Sequence, residues 1–236
     1  MIDATYLFLY LAPIIAVFFI YFPLKRKQFH INKWQKSLNL TNHARVFHQL
    51  YQNINGFILS QQARKKYDTL DYVYGEIKFL PFIALLSLTK LNDETVFYDL
   101  GCGIGKAVLA CAMVYPIRKS VGVELLPELY FQACKQVTQL AIVKNYTTQA
   151  NKIEFILGDF LEVNLNEATF IFINSTAVFN PTWEKLCTRL ERLPCLMTII
   201  TISKALRSKK FIVVTQTLVE MSWGIVFAYV HVRKKE

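Results

Sequence analysis

Acidic residues are scarce in this chain of 236 residues: 17 Asp and Glu stand against 27 Lys and Arg, a formal charge of +10 at pH 7. Charge of either sign is thin, at 19%, whereas 53% of the residues are hydrophobic and the mean hydropathy is +0.28. A chain this apolar is neither disordered nor a low-complexity fibre, and no internal repeat runs through it. The five cysteines (Cys102, Cys111, Cys134, Cys187 and Cys195) form no Cys-x-x-Cys pair. An odd count in mostly apolar surroundings argues against a disulfide framework and against structural zinc, and fits reduced thiols in a cytosol-like compartment. The basic excess favours an acidic partner, whether anionic lipid, nucleic acid or acidic protein, without choosing among them.

What the chain has first is an uncharged run, ATYLFLYLAPIIAVFFIYFPL, over residues 4–24. About 21 residues match the roughly 20 that cross a hydrocarbon core. Aromatics gather toward both ends, and Lys25, Arg26 and Lys27 follow at once, which by the positive-inside rule sets the C-terminal side in the cytoplasm. No basic leader and no small-residue cleavage pattern marks a signal peptide. The expectation is a transmembrane anchor over residues 1–24 that meets the lipid bilayer through residues 4–24. It makes a single-pass membrane protein with its catalytic domain cytoplasmic. Residues 25–69 read as a helical juxtamembrane linker, with Val46, Phe47, Leu50 and Tyr51 at helical spacing. Residues 70–236 are left for one α/β domain with a large core.

The chemistry is concentrated after Thr95, where the apolar run TVFYDL ends in GCGIG and KAVLACAMVY follows with helical periodicity. This is strand, glycine turn, helix. A nucleoside cofactor needs glycines at such a turn, because a Cβ would hold the backbone away from the ligand, and Gly101, Gly103 and Gly105 supply them. The spacing is neither the Gly-x-Gly-x-x-Gly of pyrophosphate binders nor a phosphate-binding loop, so the expected ligand is a nucleoside without phosphates. KSVGVE then reads as a second strand ending in Glu124, about 20 residues beyond the turn, where a carboxylate can accept both ribose hydroxyls. KIEFILGDF reads as a third strand carrying Asp159, placed to accept from an adenine amine, with Phe160 beside it to pack on the ring. Taken singly, Asp99 reads equally as a cap of the next helix, and Glu124 and Asp159 as solvated loop acids.

In this order and spacing these residues resemble the class I S-adenosylmethionine-dependent methyltransferases. The resemblance covers residues 70–233 and implies a seven-stranded Rossmann-like α/β sheet with flanking helices and a C-terminal antiparallel hairpin. ATFIFIN supplies the fourth strand, CLMTIITIS the fifth, and FIVVTQTLVE with GIVFAYVHVR the hairpin. It implies S-adenosylmethionine as cofactor and no metal. Asp99, Gly101 and Gly103 match the methionine-binding motif, Glu124 the ribose acid, and Asp159 with Phe160 the adenine contact.

A sulfonium methyl is already activated, so the protein has mainly to align an acceptor lone pair with the breaking bond and exclude water. His30, His43, His48 and His231 are the only histidines, and none lies in an expected active-site loop, which disfavours a His-activated oxygen nucleophile. An amine acceptor fits better. The fourth strand ends in Asn174, with Ser175, Thr176, Phe179, Asn180 and Pro181 following. Asn174 can orient an amine and Phe179 can wall it; alternatively, Asn174 ends the strand and Asn180 caps the helix after it. Finer features are similar to the non-SET histone lysine methyltransferases named for disruption of telomeric silencing. These are Tyr74-Gly75-Glu76 before the first strand, Gly158 to Leu161 at the third, and the loop after the fourth, whose second asparagine is Ser175 here. That resemblance implies that Glu76 holds the cofactor's amino group. The hydrophobic start is also similar to small membrane-bound protein lysine methyltransferases, which implies a protein lysine near the membrane as substrate. Nucleic acid is not the expected partner. The rival readings are a small-molecule, lipid or quinone methyltransferase and a catalytically silent cofactor-binding module.

Overall fold

The structure is a computed structural model that describes residues 24–67 and 74–235. It divides into two compact units, Met1–Asn42 and His43–Glu236. In the first, residues 24–37 form helix α1, mostly exposed and carrying Lys25, Arg26, Lys27, Lys33 and Lys36.

Along the second unit the elements are α2 (Leu40–Tyr51), which enters it, α3 (Gly56–Tyr67), α4 (Phe79–Leu86), β1 (Val96–Leu100), α5 (Lys106–Val114), β2 (Lys119–Glu124), α6 (Pro127–Ile142) and α7 (Thr147–Ala150). There follow β3 (Ile153–Leu157), β4 (Phe170–Ile173), a 3-10 turn (Ser175–Ala177), α8 (Thr182–Arg192), β5 (Thr198–Ile202), β6 (Phe211–Met221) and β7 (Gly224–Arg233). The strands form one seven-stranded sheet in the order β3-β2-β1-β4-β5-β7-β6. All neighbours pair in parallel except the β5–β7 and β6–β7 pairs. The expected sheet and closing hairpin are therefore present, with β7 placed between β5 and β6.

Strands buried on both faces must read as unbroken apolar runs, and every residue of β1 and β4 is buried. On one face Phe82 of α4 packs edge-on against Phe97 and Phe172 at 6.2 and 5.1 Å. Alongside it, α5 buries seven of its nine residues, three of them alanines that let the helix lie close to the sheet. The apolar positions expected in α2 serve this core too, Phe47 stacking on Phe79 at 4.8 Å. On the other face Trp183, Leu186 and Leu190 of α8 cover Ile171, Ile173 and Ile199. Each such large apolar side chain contributes about 1.5–3 kcal/mol on burial. The chain runs outward from β1 to β3 and returns to β4 on the other side of β1. Open α/β sheets leave their ligand crevice at such a reversal, beyond the carboxyl ends of the strands.

The membrane reading needs correction. No helix among the described residues is long and apolar enough to cross a membrane. The uncharged run that motivated an anchor lies in residues 1–23, outside the described residues, except for Leu24, which opens the strongly basic α1. Helix α1, exposed and with five cations, is not such a helix. The N-terminal transmembrane helix, the bilayer contact through residues 4–24 and the single-pass membrane location with a cytoplasmic catalytic domain are thus unsupported.

Candidate active site

The turn after β1 is possible only because its glycines take left-handed backbone angles. Gly101 has φ +81° and Gly103 φ +57°, values that cost an L side chain about 1 kcal/mol or more. A Cβ on Gly101 would meet nothing within 4 Å, whereas one on Gly103 would sit 2.7 Å from the Tyr74 ring. The first glycine thus keeps open space over the turn, and the second admits a neighbouring aromatic. The backbone N–H groups of Gly101 and Cys102 donate to Val123 O at 2.9 and 3.0 Å, tying the turn to β2. Gly105, φ +80°, is the N-cap of α5 and lies under Phe155 and Ala133, so it serves packing and stands apart from the cavity lining.

Around that turn opens a cavity of about 1000 Å³ of empty space, open solvent included. Its walls include Glu76, Asp99, Gly101, Gly103, Glu124, Asp159, Phe160 and Asn174. Eight positions expected from the sequence, drawn from the ends of four successive parallel strands and the segment before β1, thus share one cavity. Phe179 does not line it; its ring is 47% exposed, with Lys204 Nζ 5.7 Å from its centre.

Two carboxylates sit deep in this cavity. Glu124 ends β2 at 7% exposure, its Oε2 accepting Gly103 N–H at 2.8 Å and its Oε1 accepting Leu126 N–H at 2.9 Å. Burial raises its pKa against the lowering effect of those N–H groups. Asp99, 4% exposed, is pushed well above the usual carboxylate range, first by burial and then by the Glu124 charge. It does not cap α5, which has no side-chain cap. Two buried acids, neither in an ion pair among the described residues, form a place for hydroxyl and ammonium donors. Asp159 is less buried; its Oδ1 accepts Leu161 N–H at 2.7 Å and its carbonyl accepts Glu162 and Val163 N–H, so it shapes the turn that carries Phe160.

The Tyr-Gly-Glu segment forms the opposite wall. Tyr74 O–H donates to Glu76 Oε1 at 2.7 Å, and Lys106 Nζ bonds Glu76 Oε2 at 2.5 Å. Burial, and next the Glu76 charge, drive the Tyr74 phenol far above its ordinary pKa. The β6–β7 turn holds this segment down. Glu76 N–H donates to Ser222 Oγ at 3.0 Å and Glu76 O accepts Ser222 N–H at 2.8 Å, while Ile77 bridges to Met221. Trp223 lies so close that a Cβ on Gly75 would fall 1.9 Å from its ring.

Asn174 follows β4, and its Nδ2 donates to Gly75 O at 3.2 Å. Its Oδ1 is buried with no hydrogen-bond partner among the described residues. An unmet buried carbonyl oxygen costs about 1–3 kcal/mol, so a donor is missing from this place. Ser175, standing where the resembled family has a second asparagine, is fully buried and turns away from the cavity, its Oγ donating to Ile202 O. Asn180 caps nothing: α8 starts at Thr182 without a side-chain cap.

Sequence reading passed over Lys106, the residue directly after the third glycine. Its amine lines the cavity, pairs with Glu76 and lies 5.3 Å from the Tyr51 ring centre, and its only trace in the sequence is a lysine closing the turn where apolar residues begin. Ser60 and Met221 join the lining from elements with no local motif. No group of three or more metal-ligating side chains occurs among the described residues.

A glycine turn after β1, acids closing β1 and β2 and a seven-stranded sheet ending in an antiparallel hairpin define a class I S-adenosylmethionine-dependent methyltransferase. Residues 57–236 match the family described as histone methylation protein DOT1, and the chain belongs to that family. A protein-lysine N-methyltransferase of Saccharolobus islandicus is 30% identical over 105 residues, 43% of this chain and 61% of that protein. A histone-lysine N-methyltransferase, H3 lysine-79 specific, of Caenorhabditis elegans is 33% identical over 111 residues, 44% of this chain and 12% of that protein. These matches span 61% and 12% of the curated relatives' own length, less than two thirds in each case. An RNA methyltransferase of Salinibacter ruber, solved with S-adenosyl-L-homocysteine, superposes with TM-score 0.52 at 20% identity, covering 66% of this chain and 92% of that one. At that identity the likeness concerns the fold.

Proposed function

We propose that this protein transfers the methyl group of S-adenosylmethionine to a lysine amine of a protein. The observation that carries the reading is Asn174: a buried carbonyl oxygen without a donor, held by Gly75 in the same cavity as Asp99 and Glu124. The names of the relatives, lysine methyltransferases in both cases, support the acceptor.

The residues present fit the cofactor. The open space over Gly101 admits its backbone approach, and the buried Glu124 suits a ribose diol. Asp99 and Glu76 suit an ammonium group, Lys106 a carboxylate, and Phe160 with Asp159 an adenine. When bound, the cofactor supplies an electrophilic methyl on a sulfonium. Asn174 Oδ1 then accepts an N–H of the incoming amine, turning its lone pair toward the cavity. The amine's proton leaves to solvent before transfer, since no histidine lines the cavity. Asn174, Val178 and the Tyr74–Glu76 segment wall the cavity in which the amine is aligned.

The test is transfer of isotope-labelled methyl from S-adenosylmethionine in a cell lysate, read by gel and by organic extraction, with Glu124→Ala as control. Label in a protein band that is lost in the variant supports the reading. Label confined to the organic phase moves the acceptor to a lipid or quinone and overturns it.

A further inference from the structure

Beside the cavity, the loop that carries Asn174 and Phe179 is bound to residues 202–204 after β5. Ser175 Oγ donates to Ile202 O and lies 3.4 Å from Lys204 O, and Thr176 Oγ1 and Ser203 Oγ hydrogen-bond at 2.6 Å. Ser203 itself takes φ +70°, a left-handed angle that a non-glycine residue adopts only when its surroundings hold it there. Its N–H is fixed by Phe227 O at 2.7 Å. This backbone geometry delivers one side chain to the loop. Lys204 Nζ donates to Val178 O at 2.5 Å and lies 5.7 Å from the Phe179 ring centre. Val178 is a wall of the cavity that also holds Asn174. A carbonyl oxygen and an aromatic face are the chemistry that receives a lysine ammonium, and here a lysine of the chain's own already occupies it.

We propose that Lys204 is a methylation site of this protein's own active site, modified within the same molecule. The inference rests on the lysine methyltransferase reading above. Four rotatable bonds let a lysine amine swing by roughly 6 Å without moving its backbone. The modification proposed requires the Lys204 amine to rotate away from Val178 O into the cavity that Val178 lines with Asn174. The ammonium first releases a proton to solvent. The nitrogen lone pair then forms the N–C bond as the S–CH3 bond breaks and its electron pair stays on sulfur. The products are methylated Lys204 and S-adenosylhomocysteine. Because Ser175, Thr176 and Ser203 hold the backbone, this acceptor is present at a high effective concentration.

The full chain is incubated alone with methyl-labelled S-adenosylmethionine and the label is located by peptide mass spectrometry. Cofactor binding and label transfer to a mixture of core histones are measured in parallel. The expected result is label on Lys204 more than about tenfold above any other lysine of the chain, as tethering predicts. Its rate per molecule is unchanged on dilution, and the label is absent from Lys204→Arg while that variant still binds cofactor. Histone labelling with an unlabelled Lys204 overturns the inference and leaves the lysine methyltransferase reading standing. Labelling of Lys204 that slows on dilution overturns the intramolecular route. Cofactor binding with no label on Lys204 overturns the inference, and the reading it rests on falls with it only where the proteins of a cell lysate stay unlabelled as well.

Discussion

Replacing Glu124 by Gln tests the site at a deeply buried acid. The carboxylate accepts Gly103 N–H through one oxygen and Leu126 N–H through the other. The amide keeps one acceptor and turns an NH2 toward the second N–H, which is then left unmet. That costs about 1–3 kcal/mol, partly offset because Gln carries no charge to desolvate. At about 2–4 °C per kcal/mol for a chain of this size, the midpoint of thermal unfolding falls by roughly 2–8 °C. Cofactor binding loses more, since hydrogen bonds to a charged acceptor contribute about 1.5–3 kcal/mol, equivalent to roughly tenfold to hundredfold in Kd. The pH dependence distinguishes this loss from general damage. Burial raises the folded pKa of Glu124 above its ordinary value of 4.5. The folded protein therefore holds a proton that the unfolded chain has released, and Glu124 makes the ligand-free protein less stable as pH rises through that window. Hydroxyl donors favour the ionised acid, so affinity in the native protein climbs over the same window, while the Gln variant lacks Glu124's share of the climb. What slope remains belongs to Asp99, also raised, and Asp99→Asn removes it. The assay is calorimetric titration with S-adenosylhomocysteine from about pH 4.5 upward, beside thermal unfolding. A Gln variant with a lowered midpoint but wild-type affinity and pH slope would refute Glu124 as a ligand-binding acid.

Three further perturbations address other parts of the cavity. Asn174→Ala removes an acceptor assigned to the incoming amine, so kcat should fall by about tenfold or more while Kd for the cofactor changes less than about twofold; equal losses in both would take Asn174 out of the acceptor site. Lys106→Met, Glu76→Gln and the double variant, compared by chemical denaturation, should show a coupling of about 1–2 kcal/mol for a close pair, the two side chains being only 22% and 15% exposed. Additive effects would contradict a shared ion pair. Gly75→Ala forces the Trp223 ring aside and should destabilise by about 1–3 kcal/mol; in a Trp223→Ala background the same change should cost much less, and an equal cost in both would place the strain elsewhere.

The features legible in the sequence are local ones. The turn after β1 was readable because three glycines must sit where the backbone turns left-handed, and β1 and β4 because strands buried on both faces are mainly apolar, Asp99 being the exception in β1. Glu124, Asp159 and Asn174 were readable because each stands at or just beyond the end of a parallel strand. The cysteines and histidines were informative by what they do not form. The tertiary structure decided whatever joins distant segments. Lys106 meets Glu76 across 30 positions and Asn174 meets Gly75 across 99, and the apolar edge of β7 slots between β5 and β6. Ser175 shows the difference most plainly. By motif it is a missing asparagine, and by structure it is a buried hydroxyl that fastens the acceptor loop to residues 202–204. An uncharged run states only that a segment avoids water, and here the helix that can be described beyond that run is too basic to enter a bilayer. Periodicity and turn chemistry are written along the chain, where each residue answers to its own backbone angles and its own burial. Partnership across a cavity is set by how separate elements pack, and no residue carries a record of that on its own.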